Sequence, residues 1–342
     1  MLFKRLAFIA LFVIPALLVA GCCASRGQTS LEGEAKTVFR LASMTPMEHT
    51  YNQGAVRFAQ LVRERSRGRI EIAVYPNGEL AKGERELLEA IQEGSIDFYV
   101  GSTGPLSGFS PSMGILDLPF LFRDYSHADQ VLDGSVGNRL LTDLEKANLK
   151  GLAFWENGFR NLTNSKRAVK TPGDARGLKI RTMENKLHLA AWKAVGVQPI
   201  PMAYGELYGA LQRKEIDGQE NPVAVIYTGK FNEVQRYLSL TQHVYSPALL
   251  IVSPKTWLNL GKEDQDMLIK TAREVAPYQR RLGRESEEKQ IAALAAAGMT
   301  VSKDIDKAAW YRVMEAAMGD FIRSFGKDQV AAIINAGEGG AR

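Results

Sequence analysis

Apolar and polar positions follow two rhythms along the chain. Val38 to Ala42 and Ile70 to Tyr75 alternate with the period of two that a half-buried strand requires, and Pro76-Asn77-Gly78 ends the second with a turn. Tyr51 to Arg65 takes up helical spacing between them. The succession returns further on: Leu178 to Arg181 predicts a strand, Lys186 to Val195 a helix, and Val197 to Met202 stands where Ile70 to Tyr75 stood. Strands alternating with helices predict α/β units on mainly parallel sheets.

An internal repeat sharpens this picture. Glu86-Leu87-Leu88-Glu89-Ala90-Ile91-Gln92 through Ile96-Asp97 aligns without a gap on Glu206-Leu207-Tyr208-Gly209-Ala210-Leu211-Gln212 through Ile216-Asp217, at an offset of 120 residues. Leu87, Ala90 and Ile91, like Leu207, Ala210 and Leu211, share one helical face. Each helix should feed a short strand, Ile96 to Val100 and Ile216 to Gln219. Two such units predict two similar lobes with a cleft between them.

Ligands of open α/β sheets gather at the carboxyl ends of the strands. That rule puts Gly101 and Ser102 of one lobe opposite Asn221 and Pro222 of the other, with Arg181 on the same rim. Pro222 biases Asn221 toward an extended backbone and suits the first position of a helix, for which Asn221 is a good N-cap. The junction therefore reads as a strand turning into a helix through Val223 to Tyr227. Its backbone N–H groups and helix dipole suit an anion.

Arg181 is the first candidate for a ligand contact, because a guanidinium matches a carboxylate with a planar fork of donors. An ion pair with Glu184 or Asp217 is its bland alternative. Arg160 either assists in neutralising an acid or pairs with Glu156 where one lobe passes into the other. Ser102, Gln219 and Glu156 complete the rim. His49, in the loop after the first strand, is either a hydrogen-bond donor or a solvated loop residue. Trp155 and Phe159 either flank a ligand or belong to the core. No histidine has a metal-ligand partner at useful spacing, so neither metal nor cofactor is expected. No Gly-rich phosphate loop or nucleophile elbow is present, which weakens an enzymatic reading.

The amino terminus predicts location. Lys4-Arg5, an apolar run from Leu6 to Ala20 and then Gly21-Cys22 have the layout of a secretory signal peptide, and Val19-Ala20-Gly21-Cys22 resembles a lipobox with Cys22 as the lipid-bearing residue. The two cysteines, Cys22 and Cys23, both fall there, leaving no thiol or disulfide for the folded body. Ser25 to Lys36 reads as a membrane tether. Removal of residues 1–21 takes away Lys4 and Arg5 and lowers the net charge from +5 to +3. The remaining charges are interspersed, so nucleic acid is not an expected partner.

Gly177-Leu178-Lys179-Ile180-Arg181, Pro199-Ile200-Pro201-Met202, Glu206-Leu207-Tyr208 and Asp217-Gly218-Gln219-Glu220-Asn221-Pro222 stand in the order and spacing of the DctP family, which this chain resembles from about residue 37 to about residue 330. Lys230-Phe231, His243, Tyr75-Pro76-Asn77-Gly78 and Leu116-Asp117-Leu118-Pro119-Phe120 extend the resemblance. The family comprises the extracytoplasmic solute-binding proteins of TRAP transporters. It implies a two-lobed α/β fold of the type II periplasmic-binding-protein kind, braced by a long helix for which Glu263 to Ala297 is the candidate, with Pro277 expected to kink or end it. It further implies that Arg181 holds a ligand carboxylate, that Asn221 adds a hydrogen bond and that Arg160 assists. Ser102 stands near the position where the sialic-acid-binding branch carries an acid, which turns the expectation toward other organic acids, uronates and C4-dicarboxylates among them. The expected organisation is a signal peptide over 1–21, a tether over 22–36, a first lobe of 37–158 plus 247–286, a second of 159–246 plus 287–330, and a tail over 331–342. The expected partners are an organic acid and the membrane permease subunits, with the chain itself a lipid-tethered monomer. A ligand sensor for a signalling receptor and an extracytoplasmic enzyme are the rival readings.

Overall fold

The computed structural model describes residues 36–336. The expected signal peptide, lipid attachment at Cys22 and nearly all of the tether lie outside the described residues. Ten strands run in chain order: β1 (Thr37–Ala42), β2 (Ile70–Tyr75), β3 (Phe98–Ser102), β4 (Lys150–Asn164), β5 (Lys179–Thr182), β6 (Gln198–Pro201), β7 (Gly218–Pro222), β8 (Tyr237–Ser239), β9 (Tyr245–Val252) and β10 (Thr300–Ser302). Their main order across the molecule is β2-β1-β3-β9-β4-β7-β5-β6.

That order displays the repeat. On one side β1 pairs in parallel with β2 and β3, and on the other β5 pairs in parallel with β6 and β7. The antiparallel partners β9 and β4 close the two sets. The repeated aspartates explain the matching Ile-Asp ends. Asp97 accepts the backbone N–H of Arg40 on β1 at 2.8 Å, and Asp217 accepts that of Lys179 on β5 at 2.9 Å. Each aspartate thus ties its lobe's third strand to its first. Because Ile96 and Ile216 are buried in the turns before them, β3 and β7 begin two residues later than the sequence pattern suggested.

The lobes join through β4 and β9. Fifteen residues long, β4 pairs with β9 along its first part and with β7 and β8 along its last. Its register on β9 shifts between Glu156 and Gly158, where Gly158 has φ +116°, a backbone conformation that favours glycine. The helix Lys262–Ala296 runs behind this point for about 50 Å. Leu268, Ala272, Val275 and Ala276 pack into the first lobe's core; Ile291 and Leu294 pack into the second's. Gln279 spans the irregularity in β4, accepting Glu156 N–H and donating to Glu156 C=O, both at 2.8 Å. Trp155 Nε1 donates to Ala272 C=O at 3.2 Å, which makes this tryptophan core. The helix does not end at Pro277. Pro277 lies on its exposed face, as does Arg273, whose carbonyl loses its donor, while the buried Ala276, Gln279 and Arg280 hold the adjoining turns in place. The chain stays packed beyond residue 330, for Lys327–Ile334 is a helix with Ile333 fully buried.

Candidate functional site

Strands β3, β5 and β7 end at a cavity of ≈ 380 Å³, part of it open to solvent. Ser102, Arg181 and Asn221 all line it, as the rim argument expected. Arg181 is 2 % exposed, and its Nε donates to Met202 C=O at 2.9 Å. Among the described residues no carboxylate forms an ion pair with it. Asp217 is occupied by the Lys179 N–H and by Lys166, which disposes of one bland alternative. Burial pulls the Arg181 pKa below the usual guanidinium value. Glu84 and Glu220 act on it only from a distance. A buried cation with no paired counter-ion is costly and suits an anion.

Asn221 differs in detail from its expected role. The helix after β7 spans Val223–Thr228, and Pro222 rather than Asn221 is its N-cap residue. Spared from capping, the Asn221 amide accepts from Arg160 Nη2 at 3.1 Å and donates to Gln219 Oε1. Gln219 in turn donates to Thr163 Oγ1 at 2.9 Å. Gln219 therefore stands behind Asn221 and orients it, outside the cavity lining.

Arg160 is fully buried and pairs with Glu220: its Nε is 2.5 Å from Oε2 and its Nη2 2.8 Å from Oε1. The alternative pairing with Glu156 is absent. Burial would raise the Glu220 carboxyl, but Arg160, His188 and His243 together hold it well below the usual range. Arg160 Nη1 is left without a partner.

Glu156 turns away from the cavity. It pairs with Arg284 of the long helix at 2.6 Å and accepts from Tyr245 Oη at 3.0 Å, so it belongs to the brace. His49 is neither solvated nor on the lining. It is the buried N-cap of the helix Thr50–Arg65, where its Nδ1 accepts Tyr51 N–H at 3.2 Å, and burial lowers its pKa to about 3. Phe159 packs edge-on against Tyr125 and Tyr245, again as core.

Other residues of the lining emerge only in the folded chain. Tyr51 Oη, Tyr99 Oη and Asn157 Oδ1 are buried there with no hydrogen-bond partner. Burial raises both tyrosine pKa values, so each presents an O–H to the cavity. Glu84 and Tyr204 also line it. These two are the first residues of the repeat's equivalent helices, Glu84–Glu93 and Tyr204–Gln212, and are 120 residues apart. The repeat was therefore a signal that could have found them. The lobes touch beside them: a Cβ on Gly83 would stand 3.0 Å from Ala203 Cβ, and one on Gly205 2.6 Å from Lys82 O.

A cleft between repeated α/β lobes, with an unpaired arginine and orphaned hydroxyls inside, is built to hold a small anion. The family described as bacterial extracellular solute-binding protein, family 7 (DctP), matches residues 41–324. The chain belongs to this family. It is 43% identical over 302 residues to a solute-binding protein of Verminephrobacter eiseniae, covering 88% of this chain and 90% of that one. It is 39% identical over 314 residues to the 2,3-diketo-L-gulonate-binding periplasmic protein YiaO of Escherichia coli K12, covering 92% and 93%. The crystal structure of a TRAP periplasmic solute-binding protein from Polaromonas sp. JS666, bound to D-erythronate, superposes with a TM-score of 0.87 at 41% identity, covering 88% of this chain and 99% of that one. The two-lobed type II fold and the TRAP solute-binding function are thereby established for this DctP-family member. The family and its structural neighbours are binding proteins, and membership places the folded body outside the cytoplasm. Among the described residues no helix is long and apolar enough to cross a membrane.

Proposed function

We propose that the chain captures a hydroxylated organic acid of the sugar-acid class on Arg181 and delivers it to the permease subunits of a TRAP transporter. The observation that carries this reading is Arg181 itself, buried at the meeting of the strand ends with no paired counter-ion among the described residues, for Glu84 of the same lining acts on it only from a distance. A ligand carboxylate supplies that counter-ion, and the Asn221 amide, already oriented by Arg160 and Gln219, adds a polar contact. Tyr51, Tyr99, Asn157 and Ser102 provide hydroxyl and carbonyl groups for a ligand that is polar along its length. The sugar acids named for the Escherichia coli and Polaromonas proteins agree with that lining.

On this reading residues 37–158 with 247–286 close against 159–246 with 287–330, bending at Gly158 where β4 loses its register. Closure expels water and strengthens each polar contact. The mature protein is a monomer tethered through Cys22.

The test is calorimetry on the full chain, unfolded and refolded to remove carried ligand, against D-erythronate, a uronate and succinate. Binding of at least one acid is expected, and Arg181→Ala should weaken it by about 2–5 kcal/mol while the melt stays cooperative. Unchanged affinity in a folded Arg181→Ala protein would remove Arg181 from the site.

A further inference from the structure

A second crease lies between the lobes, with a volume of ≈ 760 Å³, part of it open to solvent. None of the described residues lines both this crease and the cavity at Arg181. Phe120, Phe122 and Tyr125 line the crease from the first lobe, Gln242 and Lys307 from the second, and Phe159 from β4, which joins the two. Tyr125 places it on the side of the long helix: its Oη donates to Glu287 Oε2 at 2.7 Å, and the Arg284 guanidinium stands 4.6 Å from its ring. In a regular strand residues two apart share a face. The register shift and the φ of +116° at Gly158 break that alternation, so Asn157 lines the cavity while Phe159 lines the crease.

With Gly158 between the two openings, a rotation there that draws the lobes together over the cavity parts them at the crease. The structure has that form, for Gly83 and Ala203 meet beside the cavity while the crease stands open. The backbone at the crease is unusual on both walls. Phe120 has φ +55° and Gln242 φ +46°, and a bulky residue held there is strained. Phe120 N–H donates to His243 C=O at 2.9 Å, a bond from one lobe to the other at the foot of the crease. The Phe120 ring itself is only half-buried. Apolar surface that is wet in one form and dry in the other favours the dry form. Here the dry form is the one in which the crease is shut and the cavity is open.

We propose that this crease sets how tightly the chain holds its ligand: its aromatic wall packs against Gln242 and Lys307 in the open form and biases the ligand-free protein toward it. The apparent affinity then falls below that of the closed cavity by the fraction of molecules that are closed. This rests on the reading that the lobes close about Gly158 over an acid on Arg181. Because the crease touches no ligand, a change in it should alter the affinity for every acid by one factor, whereas a change in the cavity alters the ratio between acids.

The experiment is calorimetry of D-erythronate and a uronate on the full wild-type chain and on Phe120→Asn and Lys307→Leu, with a melt of each ligand-free protein. Phe120→Asn removes the ring and suits the left-handed backbone. It should bind each acid that wild type binds about fivefold more tightly. Lys307, exposed at the start of the helix Lys307–Glu315, offers the opposite change, since Lys307→Leu adds apolar surface to the facing wall. That variant should bind each acid about threefold more weakly. Opposite shifts with an unmoved ratio between acids support the proposal. Unchanged affinity in both folded variants, or shifts of the same sign, would overturn it. Should Phe120→Asn fail to fold, an affinity in Lys307→Leu equal to or tighter than that of wild type overturns it alone. Loss of binding in Arg181→Ala beside unmoved affinity in the crease variants isolates failure of this inference from failure of the functional reading. A wild type that binds neither acid would overturn both.

Discussion

At the scale of single residues, the site depends on what Arg181 lacks and on what Gly101 omits. A lysine at 181 keeps the charge but loses the second donor direction that fits a carboxylate, so Arg181→Lys should bind D-erythronate nearly as poorly as the alanine variant. Affinity restored to within about twofold of wild type would show that charge alone suffices. Gly101 is needed for a different reason. A Cβ there would stand 1.9 Å from Tyr99 Oη, since residues 99 and 101 share one face of β3. Gly101→Ala must therefore swing the phenol out of the cavity. The expected cost is about 1.5 kcal/mol of binding, on the order of tenfold, with little change in melting temperature. Calorimetry beside a thermal melt separates the two effects. Arg181 and Asn221 were legible in the sequence because strand ends and side-chain chemistry point to them. His49 and Glu156 were misplaced because a sequence gives their distance along the chain, not the direction of the side chain. The N-cap geometry turns one inward, and Arg284, 128 residues away, claims the other.

Among elements, the starts of the paired helices Glu84–Glu93 and Tyr204–Gln212 meet beside the cavity. Residues equivalent in the repeat, Gly83 and Ala203, face each other there, and Gly205 admits Lys82 O. Gly205 is the second residue of its helix, where alanine is no worse in propensity than glycine. Gly205→Ala should thus leave the ligand-free protein as stable or slightly more so, yet weaken ligand affinity, because its methyl group meets Lys82 O at 2.6 Å when the lobes are together. Opposite signs in the apo melt and in the binding constant are the expected signature. A variant destabilised in both would indicate that this contact serves the resting fold rather than closure. The same pairing shows how far the sequence could be read. The repeat disclosed that both lobes share one succession of elements, and the two aspartates that end it make identical bonds to neighbouring strands. The lobe connections were less legible. Nothing in the local pattern of Lys150 to Asn164 says that one strand serves both lobes, since its partners β9, β7 and β8 lie far along the chain. Of the two effects expected of Pro277, an end to the helix does not occur, for tertiary packing on both sides of the residue carries the helix through.

For the whole molecule, the decisive feature is a buried charge cluster joining the lobes behind the cavity. Asp117 comes from the first lobe, while Arg160, His188 and Glu220 come from the second or its junction. His188 Nε2 is 3.5 Å from Asp117 Oδ1 and its Nδ1 3.7 Å from Glu220 Oε1, within ion-pair range but outside hydrogen-bonding geometry. Asn185 donates to Asp117 Oδ2 at 2.8 Å, and His243 Nε2 lies 3.0 Å from Glu220 Oε2. Burial opposes a charge on His188, but the Asp117 and Glu220 carboxylates outweigh it and raise its pKa above 6.5. His243 behaves oppositely: burial lowers its pKa against the pull of Glu220, with the Arg160 and His188 charges reinforcing the fall. With His188 charged and His243 neutral, Arg160 and His188 balance Glu220 and Asp117. The sign of the pH dependence follows from linkage. A group whose pKa is raised on folding contributes stability that is complete below its unfolded value, here about 6.5, and that is lost as pH rises through the folded value. The depressed Glu220 works the other way, losing its contribution only as pH falls from about 4.5 toward its folded pKa. His49 and His243, whose pKa values burial lowers, lose their contribution as pH falls below about 6.5. Ligand-free protein should therefore melt highest near neutral pH, with an alkaline decline that belongs to His188. His188→Gln should lower stability by about 3–5 kcal/mol near neutral pH, where a buried ion partner is lost, and should flatten the alkaline limb. Thermal melts of both proteins across pH 5 to 9, taken about half a unit apart, test this. An alkaline decline of equal steepness in the variant would assign the effect to other groups and leave the lobes joined by packing rather than by charge.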